Sequence, residues 1–492
     1  METAEYARQS NLCATASSGS LVQRPPELAD GVEYNLAMSV GQAGSFPSGF
    51  VWGTATASYQ IEGATREDGR GESIWDRFSH TPGNTLNGDT GDVACDHYHR
   101  WREDLALMQE LGLQAYRFSI AWPRVLPSGR GAVNSAGLDW YEALVDGLLA
   151  ADIAPFVTLY HWDLPQALQA EGGWANRATV DAFLEYVEAV ARRLGDRVQH
   201  WITFNELWVA AMVGHFQGRH APGVRDLATA LQVAHHELVA HGRAVPLLRS
   251  LSPRGQIGIT LNLTQSRPAS QAPEDEQAAR CHDLHHNRWF LEPVFGRGYP
   301  ADLSALYGDR MPDTRPGDLA TVAAPLDFLG INYYAPTYVR APRDAEELSV
   351  GFAALGTDEL HRLGLQTTNI GKPLTGGRPF TDLLAEVHAT YRPARVYITE
   401  NGAATDEQVE DGRVHDPLRV AYLEDHVRAV GEALTLGVPV HGYFVWSLLD
   451  NFEWAFGYAM RFGIVRVDYP TQRRTVKDSG HWYRQLIVRN AL

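Results

Sequence analysis

Short apolar runs alternate along this chain with longer stretches of helical periodicity. Eight runs fit strands: Val51–Ala55, Ala115–Ser119, Ala154–Leu159, His200–Phe204, Gln256–Thr260, Phe328–Asn332, Arg395–Thr399 and Gly442–Trp446. Segments such as Trp201–Phe204 and Val396–Thr399 combine β-branched and aromatic residues and are bounded by Asn or Gly, as buried strands are. Between the runs lie amphipathic helices. Asp139–Ala150 follows Leu138 and places Tyr141, Leu144, Val145 and Leu148 at helical spacing, and Thr179–Leu194 does the same with Phe183, Tyr186, Val187 and Val190. Trp101–Leu111 and Leu227–Leu248 also read as helices. No repeat of 20–50 residues emerges. Eight strand–helix alternations predict an α/β chain folded as a single (β/α)8 barrel, the TIM-barrel architecture, with elaborated loops after its strands. Ser266–Glu276, Pro342–Asn369 and Leu374–Pro379 are expected as loops around the barrel mouth. Residues 1–44 are rich in Ala, Ser, Gln and Gly and are expected to form a disordered or loosely attached extension to a domain spanning 45–492.

Two polar interruptions stand out against this pattern. Thr203-Phe204-Asn205-Glu206 and Ile398-Thr399-Glu400-Asn401-Gly402 each set a glutamate at the end of an apolar strand. Burying a carboxylate there without partners is expensive, so two of them suggest one site assembled from distant strands. The chemistry that most often wants two facing carboxylates is glycoside hydrolysis. The plainer alternative for each is a structural ion pair. In a barrel, Arg117, His161, Asn205, Glu206, Asn332, Tyr334, Glu400 and Trp446 would all fall at or near strand C-termini, the face where such enzymes place their active sites.

Composition narrows the partners more than the reaction. Of 492 residues, 45% are hydrophobic and 21% charged, an ordinary globular balance. A net charge of −17 argues against nucleic acid or an anionic membrane surface as a partner. No stretch approaches the roughly 18 consecutive apolar residues that cross a membrane. Cys13, Cys95 and Cys281 make no disulfide framework and no CxxC pair. With no basic-then-apolar leader pattern, a cytoplasmic location is the expectation. Nothing in the sequence sets an oligomeric state.

Longer strings carry a resemblance. Phe50-Val51-Trp52-Gly53-Thr54-Ala55-Thr56-Ala57-Ser58-Tyr59-Gln60-Ile61-Glu62-Gly63 opens it. Tyr116-Arg117-Phe118-Ser119, Leu159-Tyr160-His161-Trp162-Asp163-Leu164-Pro165 and Gly330-Ile331-Asn332-Tyr333-Tyr334 follow, and Trp446-Ser447-Leu448-Leu449-Asp450-Asn451-Phe452-Glu453-Trp454 closes it. In this order, from Phe46 to about Ile487, the chain resembles the family 1 glycoside hydrolases, retaining β-glucosidases and their relatives.

The resemblance implies an exo-acting β-glycosidase, foremost a β-glucosidase, that hydrolyses terminal non-reducing β-glucosyl residues, with fucosyl or galactosyl as co-substrates. The reaction would run through a covalent glycosyl-enzyme without a cofactor or metal. The partner would be a small-molecule β-glycoside or oligosaccharide. Glu206 would be the acid/base, its pKa raised so that it is protonated near neutral pH, and Glu400 the nucleophile, with the two carboxyls about 5–5.5 Å apart. Arg117 and Tyr334 would hold Glu400 ionised. Asn205 would donate to the sugar 2-hydroxyl. Gln60, His161, Trp162, Asn332, Glu453 and Trp454 would complete the innermost sugar site, with Trp446 as the aromatic platform. Taken alone, Trp446 fits a core aromatic and His161 a buried structural histidine. Glu453 would accept from the 4- and 6-hydroxyls and repel a 6-phosphate, which disfavours a phospho-β-glycosidase.

Other strings point elsewhere and are set aside. Asp96-His97-Tyr98-His99 tempts a metal reading, but it runs straight into a helix and lacks further ligands at metal spacing. His235 and His236 fall inside a helix. Gly69-Arg70-Gly71 lacks the strand-to-helix context of a phosphate loop. The chain also departs from the family. Leu207 follows Glu206 where proline is usual. The stretch Asn369-Ile370-Gly371-Lys372-Pro373-Leu374-Thr375-Gly376-Gly377-Arg378-Pro379 has no tryptophan where relatives carry Gly-Trp-Glu. The leaving-group site is therefore expected to be built differently. A transglycosidase and a carbohydrate-binding protein that lost catalysis are the competing readings. The second is disfavoured by the joint presence of Glu206, Glu400, Arg117 and Tyr334.

Overall fold

A computed structural model describes residues 44–492, so the extension expected over 1–44 lies outside the described residues save for Gly44. Eight parallel strands close a barrel in chain order: β1 (Val51–Ala55), β2 (Ala115–Ser119), β3 (Ala154–Tyr160), β4 (His200–Asn205), β5 (Gln256–Asn262), β6 (Phe328–Asn332), β7 (Val396–Asn401) and β8 (Val440–Trp446). Strand β8 pairs back on β1, from Val51 against Gly442 to Ala55 against Trp446. Four strands run one or two residues past the apolar periodicity, into Tyr160, Asn205, Leu261–Asn262 and Glu400–Asn401. At Asn205, Asn262, Glu400 and Asn401 the backbone ladder continues while polar side chains begin, so hydrophobic pattern alone ends those strands early.

One long helix follows each strand: α1 (His97–Leu111), α2 (Ser135–Ala150), α3 (Ala178–Leu194), α4 (Leu227–Leu251), α5 (Pro273–Asp283), α6 (Gly377–Tyr391), α7 (Pro417–Thr435) and α8 (Asp478–Arg489). Their buried residues recur at three- and four-residue spacing. On α3 these include Val180, Phe183, Tyr186, Val187, Val190 and Leu194, the face that rests on the barrel. Inside the barrel, Phe156 of β3 meets Phe444 of β8 at 4.8 Å and Tyr397 of β7 at 5.3 Å between ring centroids. Those strands are not neighbours, so the rings meet only across the lumen, which is packed and not a pore.

The segments expected as loops carry structure of their own. Ser266–Pro268 pairs with Thr337–Arg340, which pairs in turn with Ala353–Ala354, a small sheet at the mouth. Pro342–Asn369 contains helices Ala345–Val350 and Thr357–Arg362. Local caps explain both, since Asp344 accepts from the Glu347 N–H and Glu359 from the Gly356 N–H. Helix α6 starts inside the loop expected over Leu374–Pro379. Among the described residues no helix is long and apolar enough to cross a membrane.

Candidate active site

Strand β4 ends at Asn205, and the next residue turns the chain. Glu206 has φ +50°, a left-handed conformation that costs a side-chain-bearing residue about 1–3 kcal/mol. Two backbone bonds hold it there: its N–H reaches Thr260 O at 2.9 Å, and its carbonyl accepts from the Val209 N–H at 2.9 Å. Trp162 (φ +76°) and Trp454 (φ +52°) share this conformation and pack on each other with tilted rings, 4.7 Å between centroids. Three such residues gathered at one barrel mouth mark a functional site. Leu207 is fully buried at the position where the family usually has proline.

Glu400 lies on β7 and is 3% exposed. Arg117 Nη1 donates to its Oε1 at 2.5 Å, and the Tyr334 hydroxyl donates to Oε2 at 2.5 Å. Arg117 stands in the middle of β2, two residues short of the strand end. Its long side chain spans the difference, supported by Thr158 Oγ1 at Nε and by the Thr399 carbonyl at Nη1. Burial leaves the Glu400 carboxyl above its ordinary value, and the Arg117 charge and the Tyr334 and Asn332 hydrogen bonds pull it part of the way back. Tyr334 keeps its proton, because burial and then Glu400 push its hydroxyl well up.

Glu206 has no such partner. Its Oε1 accepts from the Asn332 amide at 2.6 Å, and no cation among the described residues is bonded to it. Burial and then the charge of Glu400 push its pKa up to about 8. When two carboxyls share one proton, the proton goes to the one without the cation. The pocket thus holds an ionised Glu400 opposite a protonated Glu206.

Asn205 and Asn332 fix the space between them. Asn205 Oδ1 accepts from Arg117 Nη2 at 2.5 Å and from Asn332 Nδ2 at 3.0 Å, which leaves Nδ2 to donate to His161 Nε2 at 3.0 Å. His161 therefore carries its proton on Nδ1. Burial, followed by the Arg117 charge, keeps the ring neutral. That Nδ1 has no partner among the described residues, nor does Gln60 Oε1. Gln60 Nε2 is committed to Asn451 Oδ1, the Phe452 carbonyl and Glu453 Oε2, so Oε1 must face the pocket as an acceptor. One free donor and one free acceptor, both buried, suit a hydroxylated ligand.

Glu453 sits in the loop after β8, with its pKa pushed up to about 8 by burial and by Glu400. Asp450 anchors that loop. Burial opposes its charge, but Lys477 and Arg461, each 2.7 Å away, hold it below the usual carboxylate range. Trp446 closes β8 at 3% exposure and lies 5.9 Å from the His161 ring. Trp162 spends its indole N–H on the Asn205 carbonyl at 2.9 Å, so it serves the site by packing under Trp454.

All twelve residues singled out from the sequence therefore gather at one end of the barrel. Their supports did not show in the sequence. Thr158, Thr399, Asn451 and Tyr422 (whose hydroxyl donates to the Tyr334 carbonyl at 2.6 Å) become visible only through long-range contacts. The histidines set aside earlier have protein partners. His97 pairs with Asp104 and begins α1, His235 lies between Asp318 and Tyr299, and His236 bonds the Trp174 carbonyl. No cluster of three or more His, Cys, Asp or Glu side chains suited to a metal occurs among the described residues.

Comparison with known proteins agrees with this geometry. Glycosyl hydrolase family 1 matches over residues 42–492. β-Glucosidase A of Thermotoga maritima is 50% identical over 91% of this chain and 98% of its own length. A bifunctional β-D-glucosidase/β-D-fucosidase of Bifidobacterium breve is 44% identical over 90% and 98%. The solved structure of a Thermotoga maritima β-glucosidase in complex with glucoimidazole superposes with a TM-score of 0.87, at 49% identity, covering 91% of this chain and 100% of that one. Spanning the whole barrel and every element of the mouth, the match shows that this chain belongs to glycosyl hydrolase family 1.

Proposed function

We propose that this chain is a retaining β-glucosidase in which Glu206 is the acid/base and Glu400 the nucleophile. The observation that carries the assignment is the unequal sharing of Arg117. The guanidinium bonds Glu400 and leaves Glu206 only an amide, so one carboxyl is held ionised and the other protonated. Glu206 donates its proton to the departing glycosidic oxygen while Glu400 attacks the anomeric carbon, and the C–O bond to the aglycone breaks. In the second half Glu206, now a carboxylate, takes a proton from water. The water oxygen displaces Glu400 and releases the sugar with its β configuration.

Gln60, His161, Asn205 and Glu453 bind the sugar hydroxyls, with Trp446 as the apolar platform. The uncommitted Nδ2 hydrogen of Asn205 suits the 2-hydroxyl. Glucose is the principal glycone. The Bifidobacterium breve relative, named for both glucosidase and fucosidase activity, supports fucose as a second. The test is hydrolysis of 4-nitrophenyl β-glucoside with the first-formed anomer read by NMR. β-Glucose is expected. Initial release of α-glucose would rule out the retaining assignment, and no turnover would rule out the activity.

A further inference from the structure

Beyond Glu206 the pocket is lined by groups that the sugar site leaves unused. Trp208, two residues past the acid/base, packs on His286 at 4.3 Å between ring centroids. His286 lies against Asn262 at the end of β5 and is stacked on His282, which meets Phe352 edge-on. These rings form one aromatic wall.

Next to the nucleophile strand rises the tryptophan-free segment that begins at Thr368. Here a tight turn closes from the Thr368 N–H to the Lys372 carbonyl at 2.7 Å. Asn369 ties it to the loop after Glu400, by its N–H to the Ala404 carbonyl at 2.9 Å and its amide to Asp406 at 3.0 Å. Lys372 is accessible to solvent, and its ammonium makes no hydrogen bond or ion pair with any described residue. Arg219, on the segment after β4, is also exposed and spends its guanidinium on the neutral Gln217 Oε1 at 2.9 and 2.7 Å.

The two cations are close enough to feel each other. Desolvation in the crevice and then the Arg219 charge lower Lys372 from the ordinary lysine range, and only Glu206 opposes them. Lys372 in turn adds to the burial that keeps His282 and His286 neutral. The chain has 59 acidic residues against 42 Lys and Arg, yet no acidic side chain among the described residues pairs with either cation. An acidic protein that leaves two like charges facing one crevice has left a place for an anion.

We propose that the leaving-group site selects β-glucosides whose aromatic aglycone bears a carboxylate, with the ring on the Trp208–His286 wall and the carboxylate between Lys372 and Arg219. The proposal rests on the β-glucosidase reading and names the substrate class for it. Planar, bidentate recognition by the arginine and a point charge from the lysine complement a carboxylate.

The test compares 4-(2-carboxyethyl)phenyl β-D-glucoside with its methyl ester, whose phenols leave equally well. The wild type should prefer the acid by roughly five- to tenfold in kcat/KM, the sum of two partly exposed ion pairs, and the preference should shrink with added salt. Lys372→Met with Arg219→Gln should bring the ratio to about one, whereas Lys372→Arg should keep it. A wild-type ratio at or below one overturns the proposal, as does a preference that survives the double substitution. Turnover of the ester in either case leaves the glucosidase reading standing. Failure of both substrates and of 4-nitrophenyl β-glucoside would remove that reading as well.

Discussion

Arg117 holds Glu400 through a 2.5 Å hydrogen bond and reaches Glu206 only through Asn205 and Asn332. That single asymmetry gives two carboxyls of the same chemistry opposite roles. Both are buried, so the local charge difference is weakly screened and decides which of them carries the proton.

Substituting the pair should separate their roles. Glu206→Gln is expected to lower kcat/KM by about 10²–10⁴-fold on glucosides with poor leaving groups, and by far less on 2,4-dinitrophenyl glucoside, which departs without protonation. Glu400→Ala is expected to be inactive but partly rescued by azide, giving the α-glucosyl azide. Ordinary hydrolysis by the Glu400→Ala variant would remove the nucleophile assignment.

Activity should be bell-shaped in pH. It requires Glu400 ionised and Glu206 protonated, so it is lost as pH falls through the Glu400 value and as pH rises through the Glu206 value of about 8. Tyr334→Phe removes a hydrogen bond that favours the Glu400 carboxylate, so the acid limb should move to higher pH. A kcat/KM profile with its acid limb unmoved would show that Tyr334 does not set the ionisation of Glu400.

Glu453 should read the glycone. Glu453→Gln is expected to cost about 10–100-fold in kcat/KM on the glucoside, because the amide cannot offer the hydroxyls the same pair of carboxyl oxygens. The β-xyloside has no 6-hydroxymethyl group and should suffer less. Equal losses on both substrates would argue that Glu453 acts only by holding Gln60.

Away from the pocket, Glu237 on α4 is fully buried with neither carboxyl oxygen bonded to any described residue, and burial pushes its pKa well above the usual 4.5. As pH rises past the unfolded value, the unfolded chain gives up this proton first, so the residue subtracts stability from about 4.5 upward. Glu237→Met should therefore raise Tm at pH 8, by on the order of 1–2 °C, and change it less at pH 4. An equal change at both pH values would show that packing and not ionisation is at work.

Some of this architecture is local in origin and legible along the chain. The alternation of buried runs with helical faces such as Phe183, Tyr186, Val187 and Val190 gives the eightfold repeat, since side-chain periodicity follows directly from backbone geometry. The glutamates announce themselves because an acid at the end of an apolar strand needs a reason. The capped helices in Pro342–Asn369 are legible in part through Asp344 and Glu359, although apolar period alone passes over them.

Tertiary structure decided the rest. Between Ile398 and Glu400 the pairing of β7 with β6 shifts register, so the consecutive residues Thr399 and Glu400 both reach the interior, one to Asn332 and the other to Arg117. Strict alternation would have sent one of them outward. Arg117 and Glu400 are 283 positions apart, and the charge of Arg219 reaches Lys372 from a loop after a different strand. Sequence determined which residues and elements exist, because those depend on neighbours along the chain. The closed barrel decided which carboxyl received the cation and which cations found no acidic partner among the described residues, because charge acts through space.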